Sequence, residues 1–505
     1  MAAPRRTRVR GGWVGGWRDG RHTLDRDHEV VFEGDRILHV GPSFEGRVDA
    51  EIDARTHLVC PGFVDTHVHS GHRAAHRLIT DHGRPDAFGQ PFLEVSVPRK
   101  GARIEGDIRY LRPGDPGHDE ELELHATWTI AELLRNGITT FVEFGSQVRV
   151  QEALARQCRR LGARGYLGAG FCSGHWVGGE GGRLELEIDE PAGERALDAA
   201  LEFISSLERD GLVNGILVAR ELEAMSLALL RRTREMADAH RLPTATHAAY
   251  NVLEFHHVLR EHRMTPIELL DHVGLLRPTL NIGHGNFLAE NPPFNHAGAR
   301  DLERMGKAGV SVSHCPVNLA RRGRSLDSWP RYREAGVNLS IGTDTYPRDM
   351  IANLRAASYM GKVASRSVTA ASAAEVFTAA TLGGATSLGR DDLGRLAPGA
   401  RADLVVVDLS GRDTLRYGPV RDPVKALVEC GVGDDVVTTI VAGEVRMRDR
   451  VIPGVDLAAR RARAQASAER IWNGWQSSDA LGRSASQMSP WSFGSSCEHG
   501  CEADR

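Results

Sequence analysis

The 505-residue sequence contains only four lysines, and none lies between Lys100 and Lys307. Arginine supplies nearly all of the positive charge, and acidic residues slightly outnumber basic ones, so the formal net charge is -4. No block of clustered basic residues is present, which argues against nucleic-acid binding and against a polybasic membrane anchor. We therefore expect a small-molecule substrate, and neither nucleic acid nor a membrane among the partners.

Long apolar runs are also missing. No stretch is long enough to span a bilayer, and the basic residues at the start are not followed by the apolar segment of a secretory signal. The seven cysteines are scattered along the chain, an odd number without the spacing of a disulfide framework. Together these absences predict a globular protein of the reducing cytoplasm.

Strand-like and helix-like segments alternate through the middle of the chain. Regular alternation at this spacing predicts a parallel sheet with helices packed on it. Eight such strand–helix units, beginning at Phe63, predict an α/β fold, a (β/α)₈ TIM barrel. The predicted strands cover residues 63–69, 138–144, 165–171, 215–218, 244–247, 280–284, 310–314 and 338–344.

Both ends of the chain predict short strands outside the barrel. Residues 1–58 and 392–455 contain β-branched or alternating runs separated by turn residues, and we expect them to pair as a small β-sandwich satellite domain. Residues 59–391 then form the barrel, 456–476 an amphipathic helix and 477–505 a disordered tail. The helix indicates a homo-oligomer, although packing on its own barrel would explain it equally well.

Two histidines stand where the first barrel strand ends. Side chains alternate along a strand, so His67 and His69 point to the same side while Val68 points to the other. Two imidazoles on one face of a rigid strand can bind one metal ion. The alternative is a chance pair, since the sequence holds 22 histidines.

Further polar residues end other predicted strands: His247 the fifth, His284 the sixth and Asp344 the eighth. In a parallel barrel the functional side chains lie at the carboxyl ends of the strands. One such histidine could be a packed core residue, but four histidines and an aspartate are difficult to explain by packing alone. A divalent ion binds imidazole nitrogens and carboxylate oxygens and keeps a position for water.

These segments resemble the amidohydrolase superfamily, and within it the cytosine, guanine and s-triazine deaminases and chlorohydrolases. The resemblance covers roughly residues 20 to 455. The matching motifs are Pro61–His69, Thr246–Ala249, Gly283–His284, Val312–Asn318, Ile341–Asp344 and Leu396–Leu404.

The resemblance implies that His67, His69, His247 and Asp344 bind the metal. It also implies that His284 and Asp344 orient and deprotonate the attacking water, which a divalent ion makes acidic enough to ionise near neutral pH. Members with two ions bridge them through a carboxylated lysine, usually from the fourth strand. The sequence has no lysine there, so we predict one divalent ion, with zinc expected and iron as the alternative.

One position departs from the family. Deaminases of this branch carry a glutamate three residues after the fifth-strand histidine, where it passes a proton to the ring nitrogen. This sequence has Tyr250 there. A phenol is a poor proton shuttle but a fair hydrogen-bond donor, or it merely lines the pocket. The departure therefore favours hydrolysis of an amide, urea, carbamate or C–Cl bond over ring deamination.

Other polar residues near strand ends are candidates for substrate contact. Besides Tyr250, these are Glu143 after the second strand and His175 and Trp176 after the third. Each has the alternative of a solvated loop residue or a salt bridge within the barrel.

The sequence thus predicts a mononuclear metal-dependent hydrolase that cleaves a C–N bond of an amide, urea, carbamate or amino-heterocycle, or a C–Cl bond, in a small molecule. One alternative is a true heterocyclic aminohydrolase that releases ammonia, with Tyr250 or Glu254 in place of the missing glutamate. The other alternative is a catalytically inactive barrel scaffold.

Overall fold

The computed structural model divides the chain into two compact units. It describes residues 5–72, 74–79, 115–178, 184–208, 211–292, 294–296, 298–410, 415–477 and 482–493. Unit 1 comprises Met1–Gly71, Leu122–Gly174 and Ile188–Arg460, and unit 2 comprises His72–Glu121, His175–Glu187 and Arg461–Arg505. The sequence patterns did not separate unit 2 from the barrel.

The N-terminal segment consists of strands, and the first of them was not predicted. In that strand Thr7 and Val9 are buried while Arg8 and Arg10 are partly exposed, so arginine at alternate positions hid an ordinary strand pattern. The strands are β1 (Arg6–Val14), β2 (Trp17–Arg18), β3 (Arg21–His22), β4 (Asp25–Arg26), β5 (Glu29–Glu33), β6 (Arg36–Gly41) and β7 (Ala50–Pro61).

The middle of the chain carries the strands that the sequence predicted from Phe63 onward, with short additional ones. They are β8 (Phe63–Val68), β9 (Ile138–Glu143), β10 (Arg164–Leu167), β11 (Gly170–Phe171), β12 (Gly174–Gly178), β13 (Leu184–Ile188), β14 (Val213–Gly215), β15 (Leu217–Glu221), β16 (Thr244–Ala248), β17 (Leu280–His284), β18 (Ser311–His314) and β19 (Asn338–Ile341).

Helices follow most of these strands, and several begin at side-chain caps. Thr265 caps one helix through the backbone of Glu268, and Pro266 stands in its first turn, where a missing N–H costs nothing. The helices are α1 (His118–Arg135), α2 (Val148–Leu161), α3 (Glu190–Ser206), α4 (Leu227–His240), α5 (Val252–His262), α6 (Pro266–His272), α7 (Asp301–Ala308), α8 (Pro316–Arg321), α9 (Trp329–Glu334), α10 (Met350–Ser365), α11 (Ala373–Thr378) and α12 (Gly384–Ser387).

The C-terminal segment returns to strands and then ends in helices. The elements are β20 (Leu404–Asp408), α13 (Pro423–Cys430), β21 (Val436–Val441), β22 (Glu444–Arg448), α14 (Leu457–Asn473) and α15 (Ala485–Met488). The predicted tail beyond residue 477 is described only in part: 482–493 include α15, while 478–481 and 494–505 lie outside the described residues.

Parallel strands form two sheets, in the orders β14-β10-β9-β8 and β11-β15-β16-β17-β18-β19. Backbone hydrogen bonds connect β8 with the loop that follows β19: Asp344 N donates to His67 O at 2.7 Å, and His69 N donates to Asp344 O at 2.8 Å. The chain therefore has a TIM-barrel-type α/β fold.

Buried polar side chains connect four of the parallel strands. Asn281 Nδ2 donates to the carbonyl oxygen of Thr66 at 2.9 Å, and Ser313 Oγ donates to the same oxygen at 3.0 Å. The hydroxyls of Thr66 and Ser340 are 2.9 Å apart. Since β8, β17, β18 and β19 each supply one of these residues, their inward faces meet in one interior layer.

A separate sheet in unit 1 draws strands from both ends of the chain. Its order is β22-β21-β20-β7-β1-β5-β6, and β4 also pairs with β1. Strands β20 and β7 are antiparallel, with Leu404 opposite Pro61, whereas β1 and β7 are parallel. The sheet is therefore mixed.

Unit 2 contains most of the C-terminal amphipathic helix. Ile471 and Trp475 are buried in one cluster with Ala75, and the indole N–H of Trp472 donates to Ala75 O at 2.8 Å. The guanidinium of Arg470 is 2.6 Å from the carboxylate of Glu121. Packing within its own chain thus covers much of the apolar face of α14. Within the described part of the chain, no helix is both long and apolar enough to cross a bilayer.

Candidate metal centre and active site

The polar residues that end β8, β16, β17 and β19 lie together. The Nε2 atom of His69 is 3.1 Å from His67 Nε2 and 3.2 Å from His247 Nε2. Asp344 Oδ1 is 3.6 Å from His69 Nε2, and Asp344 Oδ2 is 3.7 Å from His284 Nε2. Side chains from distant parts of the sequence thus point their ligand atoms at one position.

These separations fit a metal ion. Nitrogen ligands lie about 2.0–2.1 Å from zinc, so two of them at a tetrahedral angle are about 3.3 Å apart. The Nε2 separations of 3.1 and 3.2 Å match that spacing. Ligand atoms of His67, Cys315 and Asp344 also lie within 4.8 Å of one another, but burial raises the pKa of the Cys315 thiol well above its usual value, so the imidazoles and the carboxylate are the better ligands.

Two of the histidines are neutral, which is the protonation state that binds a metal ion. The carbonyl oxygen of Arg220 is 2.8 Å from His247 Nδ1; because a carbonyl only accepts, that nitrogen carries the proton and Nε2 keeps its lone pair. Burial lowers the pKa of His247. Burial also lowers the pKa of His284, and the adjacent His247 and Arg322 lower it further. Both imidazoles are therefore neutral near pH 7.

Two glycines make room for His67. The imidazole stacks on Phe144 with ring centroids 3.7 Å apart. A Cβ atom at Gly342 would lie 2.4 Å from His67 Cβ, and one at Gly283 would lie 2.7 Å from His67 Cε1. Only glycine allows the backbone of β17, and the backbone that follows β19, to approach His67 this closely.

Gly342→Ala is expected to displace His67 and weaken metal binding about 10- to 100-fold, the range seen when the support of a ligand is lost. Crowding is also expected to lower the free energy of unfolding by about 1–3 kcal/mol. Metal titration and chemical denaturation measure the two effects. Gly474→Ala is the control, since its new Cβ would have no neighbour nearer than 3.7 Å; equal metal affinity in the two variants would contradict this reasoning.

Asp344 is fixed by several contacts. Its backbone is left-handed, with a φ of 63°, a strained conformation that often marks a functional residue. The amide of Asn318 donates to Oδ2. The carboxylate of Asp65 accepts from Thr343 N at 3.0 Å and from the Thr343 hydroxyl at 2.6 Å. Burial raises the pKa of Asp344 to about 6, so the carboxylate can release a captured proton near neutral pH.

Glu143 lies fully buried at the end of β9. Its oxygens accept hydrogen bonds from Ser70 Oγ at 2.6 Å, Ser146 Oγ at 2.7 Å, Gln151 Nε2 at 2.7 Å and Gly145 N at 2.8 Å. The sequence placed Glu143 among the substrate-binding residues. In the structure its carboxylate connects the loops that follow β8 and β9, and its role in substrate binding stays a prediction.

Glu143→Ala is expected to lower the free energy of unfolding by about 3 kcal/mol or more, because each buried donor left without a partner costs about 1–3 kcal/mol. Chemical denaturation measures the change. Glu152→Ala, at an exposed position of α2, is the control and should change stability little. A Glu143→Ala protein as stable as this control would show that the network contributes nothing.

Tyr250 lies beside two of the histidines. Its ring centroid is 5.7 Å from that of His247 and 6.3 Å from that of His284. The phenol donates to Glu223 Oε1 at 2.6 Å. Glu254 is a helix cap: its carboxylate accepts from Ala249 N at 2.8 Å and from Tyr250 N at 2.7 Å. The carboxylate of Glu254 thus accepts hydrogen bonds from backbone N–H groups.

The remaining sequence candidates belong to unit 2. His175 and Trp176 lie on β12, which pairs with β13. His175 Nε2 is 3.6 Å from Glu187 Oε2. Their roles in substrate binding stay predictions.

Four residues near the site were not assigned roles from the sequence: Glu223, Asn318, Asp65 and Arg348. Asn318 and Asp65 stand inside motifs that carried the resemblance, and membership of those motifs was the signal available. Glu223 follows β15 with no pattern around it, and only its contact with Tyr250 reveals it. The buried Arg348, which donates to His69 O at 2.8 Å, was likewise not anticipated.

The sequence is similar to those of known deaminases. A 5-methylthioadenosine/S-adenosylhomocysteine deaminase of Halobacterium salinarum is 30% identical over 457 residues, covering 89% of this chain and 94% of the relative. An 8-oxoguanine deaminase of Pseudomonas aeruginosa is 28% identical over 471 residues, covering 89% and 96%.

A solved structure and a family match agree with these relatives. The crystal structure of an adenosine deaminase from Xanthomonas campestris with bound zinc superposes with a TM-score of 0.77 at 23% identity, covering 93% of this chain and 99% of that one. Residues 58–446 match the amidohydrolase family. The chain belongs to the amidohydrolase family.

Proposed function

We propose that this chain is a mononuclear metal-dependent hydrolase that cleaves a C–N bond of an amide, urea, carbamate or amino-heterocycle, or a C–Cl bond, in a small molecule. The observation that carries the proposal is the convergence of four imidazoles and one carboxylate on a single position, with Nε2 separations of 3.1 and 3.2 Å. A folded scaffold without catalytic function would not need this set of ligand atoms.

In the proposed site His67, His69, His247 and Asp344 hold one divalent ion, zinc in preference to iron. When bound, the ion supplies a Lewis acid that makes a nucleophilic hydroxide available near neutral pH. Asp344 Oδ2 takes the proton of the attacking water and returns it to the leaving group. His284, whose Nε2 is 3.7 Å from that oxygen, orients the water.

The relatives favour a nitrogen heterocycle as substrate. Their names are those of deaminases acting on 5-methylthioadenosine, S-adenosylhomocysteine and 8-oxoguanine. A true aminohydrolase that releases ammonia is therefore the second candidate for this chain. Against it, Tyr250 replaces the family's glutamate, and the carboxylate of Glu254 is held in the capping box of α5, so neither residue is arranged to protonate a ring nitrogen.

The architecture is part of the proposal. We place the two parallel sheets in one closed (β/α)₈ barrel, supported by the hydrogen bonds between β8 and Asp344 and by the interior polar layer. Residues 1–58 and 392–455 would form its β-sandwich satellite. Location in the cytoplasm and a homo-oligomeric state stay predictions from the sequence.

A screen of the metal-loaded protein tests the function. The panel contains aminated purines, pyrimidines and triazines, their chlorinated counterparts, and small amides, ureas and carbamates. Released ammonia, amine and chloride are measured separately, so the leaving group identifies the reaction. Ammonia from aminated heterocycles alone would establish the second candidate, and a folded protein that binds no metal would establish the scaffold.

A further inference from the structure

The Tyr250 hydroxyl is oriented as a hydrogen-bond donor to Glu223. Its oxygen is 2.6 Å from Oε1 of Glu223, and the Glu223 side chain is only 4% exposed. An ionised carboxylate accepts hydrogen bonds and cannot donate them. The single phenolic proton of Tyr250 is therefore directed at Glu223.

The Tyr250 hydroxyl also stays protonated. A phenol ordinarily loses its proton only near pH 10, and the proton of Tyr250 is held in the hydrogen bond to Glu223. The phenol thus remains protonated throughout the range in which a hydrolase works. What the oxygen can still offer is a lone pair, because its proton is already engaged.

The ring of Tyr250 stands next to the proposed centre, with centroids 5.7 Å from His247 and 6.3 Å from His284. The residue as a whole is partly exposed. A phenol oxygen that only accepts is matched by a donor. A ring nitrogen without a hydrogen is disfavoured at this position, because two hydrogen-bond acceptors would face each other and one of them would have no donor.

We propose that Glu223 is a positioning residue that turns Tyr250 into a hydrogen-bond acceptor, and that the substrate presents an N–H group to Tyr250 beside the bond that is cleaved. This inference rests on the proposed function. The ligand class is a cyclic or linear amide or urea, or a lactam tautomer of a heterocycle. Glu223 and Tyr250 therefore select the substrate by its N–H group, at the position where related deaminases have a glutamate.

A first experiment tests the pair without any ligand. Thermal unfolding is measured for Tyr250→Phe, Glu223→Leu and the double variant. The expected result is that the double variant loses no more in Tm than the larger single loss, because either change alone breaks the bond. Tyr359 and Glu429 form the matched control, a phenol–carboxylate pair 2.7 Å apart at the surface, where Tyr359→Phe should change Tm little. Additive losses at positions 223 and 250 would overturn the proposed bond.

A second experiment tests the direction of the bond. Calorimetry measures the binding of four unreactive lactams to the zinc-loaded protein. Uracil and hypoxanthine carry the ring N–H group, and 3-methyluracil and 1-methylhypoxanthine carry a methyl group in its place. The N–H ligands are expected to bind the unaltered protein about tenfold or more tightly than their N-methyl partners, the order of one unmatched buried polar group. In Tyr250→Phe and Glu223→Leu the ratio should fall to within about threefold, whereas Glu223→Asp, which keeps a carboxylate, should retain part of it.

The possible outcomes separate this inference from the proposed function. An equal ratio in the unaltered protein and in Tyr250→Phe would overturn the acceptor role, and so would a failure of all four lactams to bind. A protein that binds no zinc and hydrolyses nothing would instead refute the proposed function, while the unfolding experiment would still report on the pair. A purely structural role for Glu223 would change Tm but leave the ligand ratio unchanged.

Discussion

Asp344→Asn is expected to lower turnover by about 10²- to 10⁴-fold, the range for removal of a general acid–base group. The amide keeps the size and shape of the side chain but cannot take a proton from water. It also introduces an N–H₂ group that can face the Asn318 amide, which now donates to Asp344 Oδ2. Steady-state kinetics with the best substrate of the screen measures the loss, and metal content is determined on the same sample.

Asp271→Asn serves as the control for this substitution. Asp271 pairs with Arg304 at 2.9 Å on a partly exposed face, so the same chemical change there should leave turnover within about twofold, as expected for an exposed pair worth about 1 kcal/mol or less. If Asp344→Asn kept full turnover with its metal bound, the carboxylate would not be the proton acceptor.

His67→Ala is expected to abolish stable metal binding. Loss of an outer support already weakens metal affinity about 10- to 100-fold, and His67 is a proposed ligand with no exposed surface. The variant should purify with far less than one ion per chain and show no measurable turnover. It should also lose the stabilisation that bound metal gives, which is about 4 kcal/mol when free metal is a thousand times Kd.

Metal analysis after dialysis and thermal unfolding with and without a chelator measure these effects. His240→Ala, at the exposed end of α4, is the control and should retain metal and the chelator-dependent drop in Tm. A His67→Ala protein with one ion per chain would place the metal elsewhere and refute the proposed ligand set.

The candidate site was largely predictable because strand geometry is regular. His67, His247, His284 and Asp344 each end or follow a strand whose apolar pattern is legible, and parallel strands bring their carboxyl ends to one edge. The alternation of side chains placed His67 and His69 on one side. Local rules therefore sufficed to predict that these residues would meet.

Other features depended on contacts that no local rule encodes. Glu223 is recognised only by its hydrogen bond with Tyr250, and α4 and β16 separate the two residues in the chain. β1 was missed because its arginines obscure the alternation. Unit 2 combines three separate segments of chain, an association that periodicity within any one of them cannot reveal.

The pairing of β20 with β7 has a consequence for synthesis of the chain. Since Leu404 lies opposite Pro61, this edge of β7 stays open until β20 has been synthesised and has left the ribosome. An open strand edge is a site for unwanted association, and contacts between such distant residues form slowly. Translation that stops before Leu404 should therefore yield aggregates, and this protein should depend on chaperones more than a fold closed by neighbouring strands.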